Sequence, residues 1–178
     1  MPLPIKMKFL SKIHTNAIKM SQIIDKLRLT LKLEEGKQEL QLIACSMKRL
    51  VENCVSDLND KYKNREILIS GDDITLKVDE TLISMAISNL IENALKYSED
   101  EVVVNISSNS ICIIDRGIGI EEKELANINQ KFYRISNNGW NNSLGLGLFI
   151  VKSILVLHNF SLEITSEFKK GSQFCIKY

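Results

Sequence analysis

Little in this chain of 178 residues leans one way. Its 23 lysines and arginines are matched by 22 aspartates and glutamates, leaving a formal net charge of +1. The basic footprint by which a nucleic-acid binder meets phosphates is therefore missing from the composition. No stretch approaches the roughly 18 uninterrupted apolar residues that a membrane span needs. The opening ten residues hold Pro2 and Pro4 and an apolar run too broken for a signal-peptide core. The expectation is a cytoplasmic segment that contacts neither nucleic acid nor membrane. Histidine is scarce too: only His14 and His158 occur, so histidine-centred catalysis has few candidates. The four cysteines, Cys45, Cys54, Cys112 and Cys175, lie 9, 58 and 63 positions apart, with no C-x-x-C pair and no zinc spacing. They are expected as free thiols, mostly buried as small hydrophobes in a reducing compartment. What is present is ordinary: 44% hydrophobic and 25% charged residues, globular values in a chain long enough for a real core.

The first third is strongly patterned. Leu10, Ile13, Ala17, Met20, Ile24, Leu27 and Leu31 are spaced 3, 4, 3, 4, 3, 4. That is the seam of a helix that pairs with other helices, flanked by the charges of Lys12, Lys19, Asp25, Lys26 and Arg28. The pattern stops before Gly36, a good helix terminator, and a boundary is placed there: 1–36 as a coiled-coil segment, 37–178 as the main domain. From Lys37 the reading is mixed. A strand is predicted at Glu39–Ile43, a helix at Ser46–Tyr62, and a hairpin with arms Ile67–Ser70 and Ile74–Val78 around Gly71-Asp72-Asp73. Asp79 reads as the N-cap of a long helix to about Tyr97. Val102–Ser107 and Ser110–Asp115 form a second hairpin, Gly147–His158 a further helix, and Ser161–Thr165 with Gln173–Lys177 a last hairpin. The polar stretch Asn127–Ser143 is long for a loop and makes a candidate lid. The fold class expected is α+β, a two-layer α/β sandwich with a mixed, largely antiparallel sheet covered by helices.

Chemistry gathers in three places. On the helix Asp79–Tyr97, with Asn89 set at zero, Asn93 falls at about 40°, Lys96 at about −20° and Tyr97 at about 80°. Ile83, Ile87, Leu90 and Ala94 occupy the neighbouring, core-facing arc. Two amides, an ammonium and a phenol thus share a stripe. Amide oxygens are neutral hard ligands suited to Mg²⁺ on nucleotide phosphates. The second place is Asp115-Arg116-Gly117-Ile118-Gly119-Ile120, directly after a strand. Asp115 can accept from an exocyclic amine, and the glycines leave room for a planar ring beside the backbone. The third is Gly145-Leu146-Gly147-Leu148, where a glycine loop enters a helix and offers backbone N–H groups to an anion. It is neither a Walker P-loop nor a dinucleotide fingerprint. Between the last two lies Lys131-Phe132-Tyr133-Arg134.

Taken in order, Asn-Leu-Ile-Glu-Asn-Ala-Leu-Lys-Tyr-Ser at 89–98, Asp-Arg-Gly-Ile-Gly-Ile at 115–120, Lys-Phe-Tyr-Arg at 131–134 and Gly-Leu-Gly-Leu at 145–148 resemble four named boxes. They are the N, first glycine, F and second glycine boxes of the catalytic ATP-binding domain of bacterial two-component sensor histidine kinases. His158-Asn159, Ser166-Glu167 and Gly171-Ser172-Gln173-Phe174 resemble the family's tail. Leu31 to Lys37 resembles the end of the second helix of its dimerisation and histidine-phosphotransfer hairpin. The resemblance covers the chain from about Leu10.

The resemblance implies ATP and Mg²⁺ as cofactors. Asn93 would hold the metal with Asn89 supporting, Lys96 would contact phosphate, and Tyr97 would pack near adenine or ribose. Asp115 would accept from the adenine amine, beside Gly117, Gly119 and Ile120. Lys131 and Arg134 would be the lid cations, with Arg134 reaching the γ-phosphate. Gly145, Leu146, Gly147 and Leu148 would frame the phosphates. Glu92 is carried as a catalytic candidate that reads equally well as a solvated helix residue. In related hydrolases such as gyrase the water-activating glutamate lies four residues before the metal asparagine, and here that position is Asn89. A site without that base should hold ATP for phosphoryl transfer rather than hydrolyse it.

The implied activity is that of a histidine kinase donating the γ-phosphoryl group to a histidine, for relay to a response regulator in two-component signal transduction. The implied partners are the phosphotransfer hairpin of the same kinase, in cis or in trans, the response regulator, and a second copy through the Leu10–Leu31 seam. The full-length protein would be anchored in the inner membrane. Two departures stand out. Ser143 occupies a position where the family often has glycine, leaving Gly139 as the alternative hinge, with Trp140 a packing anchor or partner contact. The acceptor pattern is missing as well: His14 is followed by Thr15-Asn16-Ala17 and lies only 19 residues before Leu33. It reads as a surface helix residue, and His158 as a helix-end residue at the C-terminal dipole. The chain is thus expected to be a fragment, a second-helix remnant of the hairpin at 1–36 joined to the catalytic domain at 37–178, and unable to phosphorylate itself. The alternatives are an anti-sigma-type serine kinase, which has no need of the seam, and a non-catalytic ATP-binding regulatory module.

Overall fold

The computed structural model of the chain describes residues 3–135 and 144–178, with side chains from Met7 onward, Asp60 excepted. The chain divides into two compact units, Met1–Gln38 and Glu39–Tyr178. Among the described residues no helix is long and apolar enough to cross a membrane.

The first unit is helix α1, Leu3–Glu34, about two turns longer at its start than the seam predicts. It ends where Gly36 adopts φ +62°. Backbone N–H groups of Lys37 and Glu35 then turn back to the carbonyls of Lys32 and Leu31. The left-handed glycine lets the chain reverse and satisfies carbonyls that the helix end would strand. The seam is bare within the single chain: Met20 is 64% exposed, Ile24 60% and Leu31 59%.

In the second unit, strand β1 (Leu42–Ser46) and helix α2 (Met47–Lys61) are followed by β2 (Ile67–Gly71) and β3 (Thr75–Asp79). Then come α3 (Glu80–Tyr97), β4 (Val102–Ser107), β5 (Ser110–Asp115) and the single turn α4 (Glu122–Leu125). Helix α5 (Gly147–Leu157) and strands β6 (Ser161–Glu167) and β7 (Gly171–Lys177) complete it. Five strands form one sheet in the order β2-β4-β5-β7-β6, and β1 pairs with β3 in a separate two-stranded sheet. Only β2–β4 is parallel among these pairs. Val102, Val104, Ile106, Ile111, Ile113, Phe174 and Ile176 are buried; in β4 and along Ile111–Ile113 they alternate with more open neighbours, whereas in β7 the intervening Cys175 is buried too. Helices α2, α3 and α5 pack on that side, α3 in the middle. The α+β sandwich expected from the sequence is the fold observed.

Three local expectations are corrected. The hairpin around residues 71–73 does not form: β2 pairs with β4 and β3 with β1, so the chain leaves one sheet for another. Gly71 marks the departure at φ +99°, where a Cβ would lie 1.8 Å from the Ile106 carbonyl oxygen. The first strand starts three residues later than predicted, because pairing with β3 begins at Leu42. The N–H of Gln41 goes instead to the Asp79 carboxylate at 3.0 Å. The cysteines are not all free: Cys112 and Cys175 form a disulfide, and Cys45 and Cys54 are the free, buried pair. Strand register, invisible in the spacing, brings the two together.

Candidate functional site

Helix α3 is held at its start by a chain of placed polar groups. Asp79 Oδ1 accepts the N–H of Leu82, the cap predicted from sequence. The Asp79 N–H donates to His158 Nε2 at 3.0 Å, and His158 Nδ1 lies 2.8 Å from the Ile154 carbonyl oxygen. An Nε2 that accepts leaves the proton on Nδ1, so the imidazole is a neutral bridge between α5 and the cap of α3. Both residues are buried. His158 thus does more than face a helix end, and both of its nitrogens are engaged.

Further along α3, Asn89 Nδ2 donates to the Met85 carbonyl at 2.8 Å, which fixes the amide. Its Oδ1 then faces the start of α5, where a Cβ on Gly147 would come within 3.5 Å. The side chain of Leu146, at the N-cap of α5, makes no capping hydrogen bond. The first N–H groups of α5, which helix geometry leaves without an intrahelical acceptor, are available to an anion. Gly147 keeps that approach open beside the amide. Gly145, at φ +68°, packs its backbone against that of Phe132 and Tyr133: a Cβ there would lie 2.6 Å from the Tyr133 carbonyl oxygen. The Phe132 N–H donates to the Gly145 carbonyl at 3.0 Å. Leu146 is buried and Leu148 half-buried.

At the end of β5, Asp115 is 6% exposed. Its Oδ1 accepts the N–H of Gly117 at 2.9 Å. Burial pushes its carboxyl above the usual range, while hydrogen bonds from the backbone of Gly117 and Ser172 pull the other way. The following loop is gripped from two sides. The Ile118 N–H donates to the Tyr97 carbonyl at the end of α3, at 3.1 Å, and the Lys169 N–H to the Ile118 carbonyl at 2.7 Å. The Ile120 N–H donates to Ser166 Oγ, which sits 2.9 Å from Ser172 Oγ. The glycines serve these close approaches: a Cβ on Gly117 would lie 2.1 Å from the Tyr97 carbonyl oxygen, and one on Gly119 2.0 Å from that of Glu167. At both glycines, then, backbone meets backbone.

The charged candidates differ in placement. Lys96 Nζ lies 4.9 Å from the ring centre of its neighbour Tyr97, and Lys131 Nζ 5.0 Å from that of Phe149 at the start of α5. Arg134 is exposed and Asn93 half-buried. Glu92 is not a solvated helix residue. Its Oε1 accepts from Lys61 and from Tyr62, both at the end of α2. Its carboxylate fastens α2 to α3. Gly139, Trp140 and Ser143 lie outside the described residues. Sequence reasoning gave no role to Ser166, Ser172 or Lys61. The first two sit in stretches that resemble the family tail, whereas Lys61 carries no local signal.

A carboxylate buried at a strand end, a loop clamped beside it and a helix start facing a fixed amide are the features at the three places where the sequence gathers its chemistry. Residues 78–178 match the family of histidine kinase-, DNA gyrase B-, and HSP90-like ATPases. The chain belongs to that family. It is similar to the phosphate regulon sensor protein PhoR of Pseudomonas aeruginosa, 30% identical over 96% of this chain and 41% of that protein. It is also similar to the sensor histidine kinase YkoH of Bacillus subtilis, 27% identical over 93% of this chain and 38% of that one. The chain thus spans about two fifths of the length of these relatives. Its fold is shared with full-length ShkA, solved in complex with AMPPNP, at a TM-score of 0.84 and 18% identity, covering 96% of this chain and 38% of that chain. It is shared too with the Acinetobacter baumannii histidine kinase AdeS, at 0.75 and 21%, covering 94% and 82%.

Proposed function

We propose that this chain is the phosphoryl-donating part of a two-component sensor histidine kinase. It binds Mg-ATP and gives the γ-phosphoryl group to a histidine on a phosphotransfer hairpin, for relay to a response regulator. The observation that carries this reading is the fixed Asn89 amide beside the start of α5, together with the buried carboxylate of Asp115 at the end of β5.

Mg²⁺ fits the donor set. Among the described residues no group of three or more His, Cys, Asp and Glu side chains gathers to hold a cation. The fixed amide of Asn89 and the amide of Asn93 one turn later supply neutral oxygens, which suits a small hard cation that keeps several waters and shares the triphosphate. A Mg²⁺ held by Asn93 and Asn89 would supply positive charge to offset that developing on the phosphates. The chain's own residues do the rest. Asp115 accepts from the adenine amine, and Gly117, Gly119 and Ile120 hold the loop that aims it. The N–H groups of Gly147 and Leu148 meet phosphate, with Gly145 and Leu146 shaping the turn before them. Lys96, Tyr97, Lys131 and Arg134 line the approach. Asn89 offers no carboxylate to activate water, so the bound nucleotide waits for the acceptor. His158, buried and doubly bonded, is excluded as that acceptor. The bare α1 seam is read as the dimer contact, and the cytoplasm as the place of work.

The similarity to PhoR and YkoH, both sensor proteins by name, and to the AMPPNP complex of ShkA supports this reading. The experiment is calorimetric titration of ATP with and without Mg²⁺, followed by single-turnover transfer of labelled γ-phosphate to a purified hairpin bearing an acceptor histidine. Asn93→Ala should abolish the Mg²⁺ dependence of binding. Binding that ignores this substitution would refute the metal assignment. Label found on serine or only in water would refute the kinase assignment.

A further inference from the structure

The open face of the five-stranded sheet carries a feature the nucleotide site does not use. Cys112 on β5 and Cys175 on β7 are register partners with Cα atoms 4.0 Å apart, joined as a disulfide. Their register is set from the opposite face. Ile111, Ile113, Phe174 and Ile176 are all buried there, and a one-residue slip would turn a whole strand's apolar set outward. The two sulfurs are therefore forced together whatever their oxidation state. In the same row Asn105 pairs with Cys112, and Glu163 pairs with Cys175. Glu163 in turn meets Lys177 at 3.3 Å. Gln173 Nε2 lies 3.1 Å from Cys175 Sγ. Exposure divides the pair: Cys112 is half-buried, whereas Cys175 is 2% exposed.

We propose that Cys112 and Cys175 are a reversible redox pair, a site of thiol–disulfide exchange with a low-molecular-weight thiol and its disulfide. In the reducing direction a small-molecule thiolate attacks Cys112 Sγ, the reachable sulfur. The bond between the two cysteines breaks, and its electron pair leaves on Cys175, which takes a proton from solvent. A second small thiolate then attacks the small-molecule sulfur of the mixed disulfide and releases Cys112 as a thiolate. One cystine and two thiols become a dithiol and one small disulfide, and oxidation runs the same steps backwards. Cys112 is the entry residue and Cys175 the resolving one. The remaining thiols do not compete: burial pushes both Cys45 and Cys54 above the usual thiol range, and Cys54 Sγ is engaged with the Ser84 carbonyl.

The test uses the whole folded chain equilibrated with reduced or oxidised glutathione, trapped by rapid alkylation and read by peptide mass. Reduction should expose Cys112 and Cys175 to alkylation without unfolding, and oxidised glutathione should restore the link between them. In Cys175→Ser the glutathione adduct should persist on Cys112. In Cys112→Ser the adduct on Cys175 should form at least about tenfold more slowly, as for a buried thiol. The wild-type arms need no substitution, so a variant that fails to fold does not spare the proposal. A cystine that resists reduction in the folded chain, two thiols that stay free in excess oxidised glutathione, or adducts landing on Cys45 or Cys54 would each overturn it.

Discussion

Helices α1 and α3 are both amphipathic, yet only one has its apolar stripe filled. On α3, Ile83, Ile87, Leu90, Ile91 and Ala94 are essentially inaccessible, and the neighbouring stripe carries Asn89, Asn93 and Lys96. On α1 the residues Leu10, Ile13, Met20, Ile24 and Leu31 are half exposed or more. The periods differ accordingly. A strict 3.5-residue repeat makes a narrow seam for another helix, while the broader stripe of α3 lies across a sheet between two helices. The comparison teaches that apolar content does not say where a helix's partner is. The width of the stripe does.

The largest effect should come from α3. Leu90→Ala empties a fully buried position and should lower the unfolding free energy by about 2–5 kcal/mol in urea denaturation. A loss no greater than that of an exposed α1 residue would end the contrast. Next is the site that α3 helps hold. Asp115→Asn should weaken ATP binding by about 1.5–3 kcal/mol, roughly 10- to 150-fold, as for a hydrogen bond to a charged group. The pH dependence has a definite sign. Because burial raises the Asp115 carboxyl above its ordinary 3.8, the carboxylate is complete only above that raised value. Acceptance from the adenine amine is lost as pH falls through it, so affinity should drop on the acid side in wild type. The variant, titrated calorimetrically over the same range, should lack that limb. Glu92→Gln on the flank of α3 should cost about 0–1 kcal/mol, since Lys61 is largely solvated, and should leave phosphate transfer to a supplied hairpin intact. A collapse of transfer with ATP binding preserved would assign Glu92 as a base. Smallest of all, Ile24→Ala should change unfolding of the Glu39–Tyr178 unit by less than about 0.5 kcal/mol. It should instead reduce self-association in analytical centrifugation. A monomeric wild type would remove the reading of the seam.

Much of this was legible because it is local. The hairpin from Val102 to Asp115, the cap at Asp79 and the stop at Gly36 each follow from a few adjacent residues. The nucleotide boxes were legible as strings, and residue order alone put Asp115 at a strand end. What failed was non-local. Alternation in residues 67–70 and 74–78 says strand but does not name a partner, and the glycine between them answers to Ile106, far along the chain. The clasp of Lys61 on Glu92 and the bridge of His158 to Asp79 join residues 31 and 79 positions apart, which no periodicity encodes. The backbone neighbours of the glycines in the first loop, Tyr97 and Glu167, are likewise distant in sequence.

The one parallel pairing in the sheet orders folding in time. Strand β4 meets β5 across a two-residue turn, and β6 meets β7 almost as directly, so each closes at little entropic cost. Strand β2 has to wait, because all of β3 and α3 lies between it and β4. Pairing β2 with β4 therefore closes a much longer loop, at the larger entropic cost. The edge strand β2 is thus expected to be among the last to zip, well after the two hairpins.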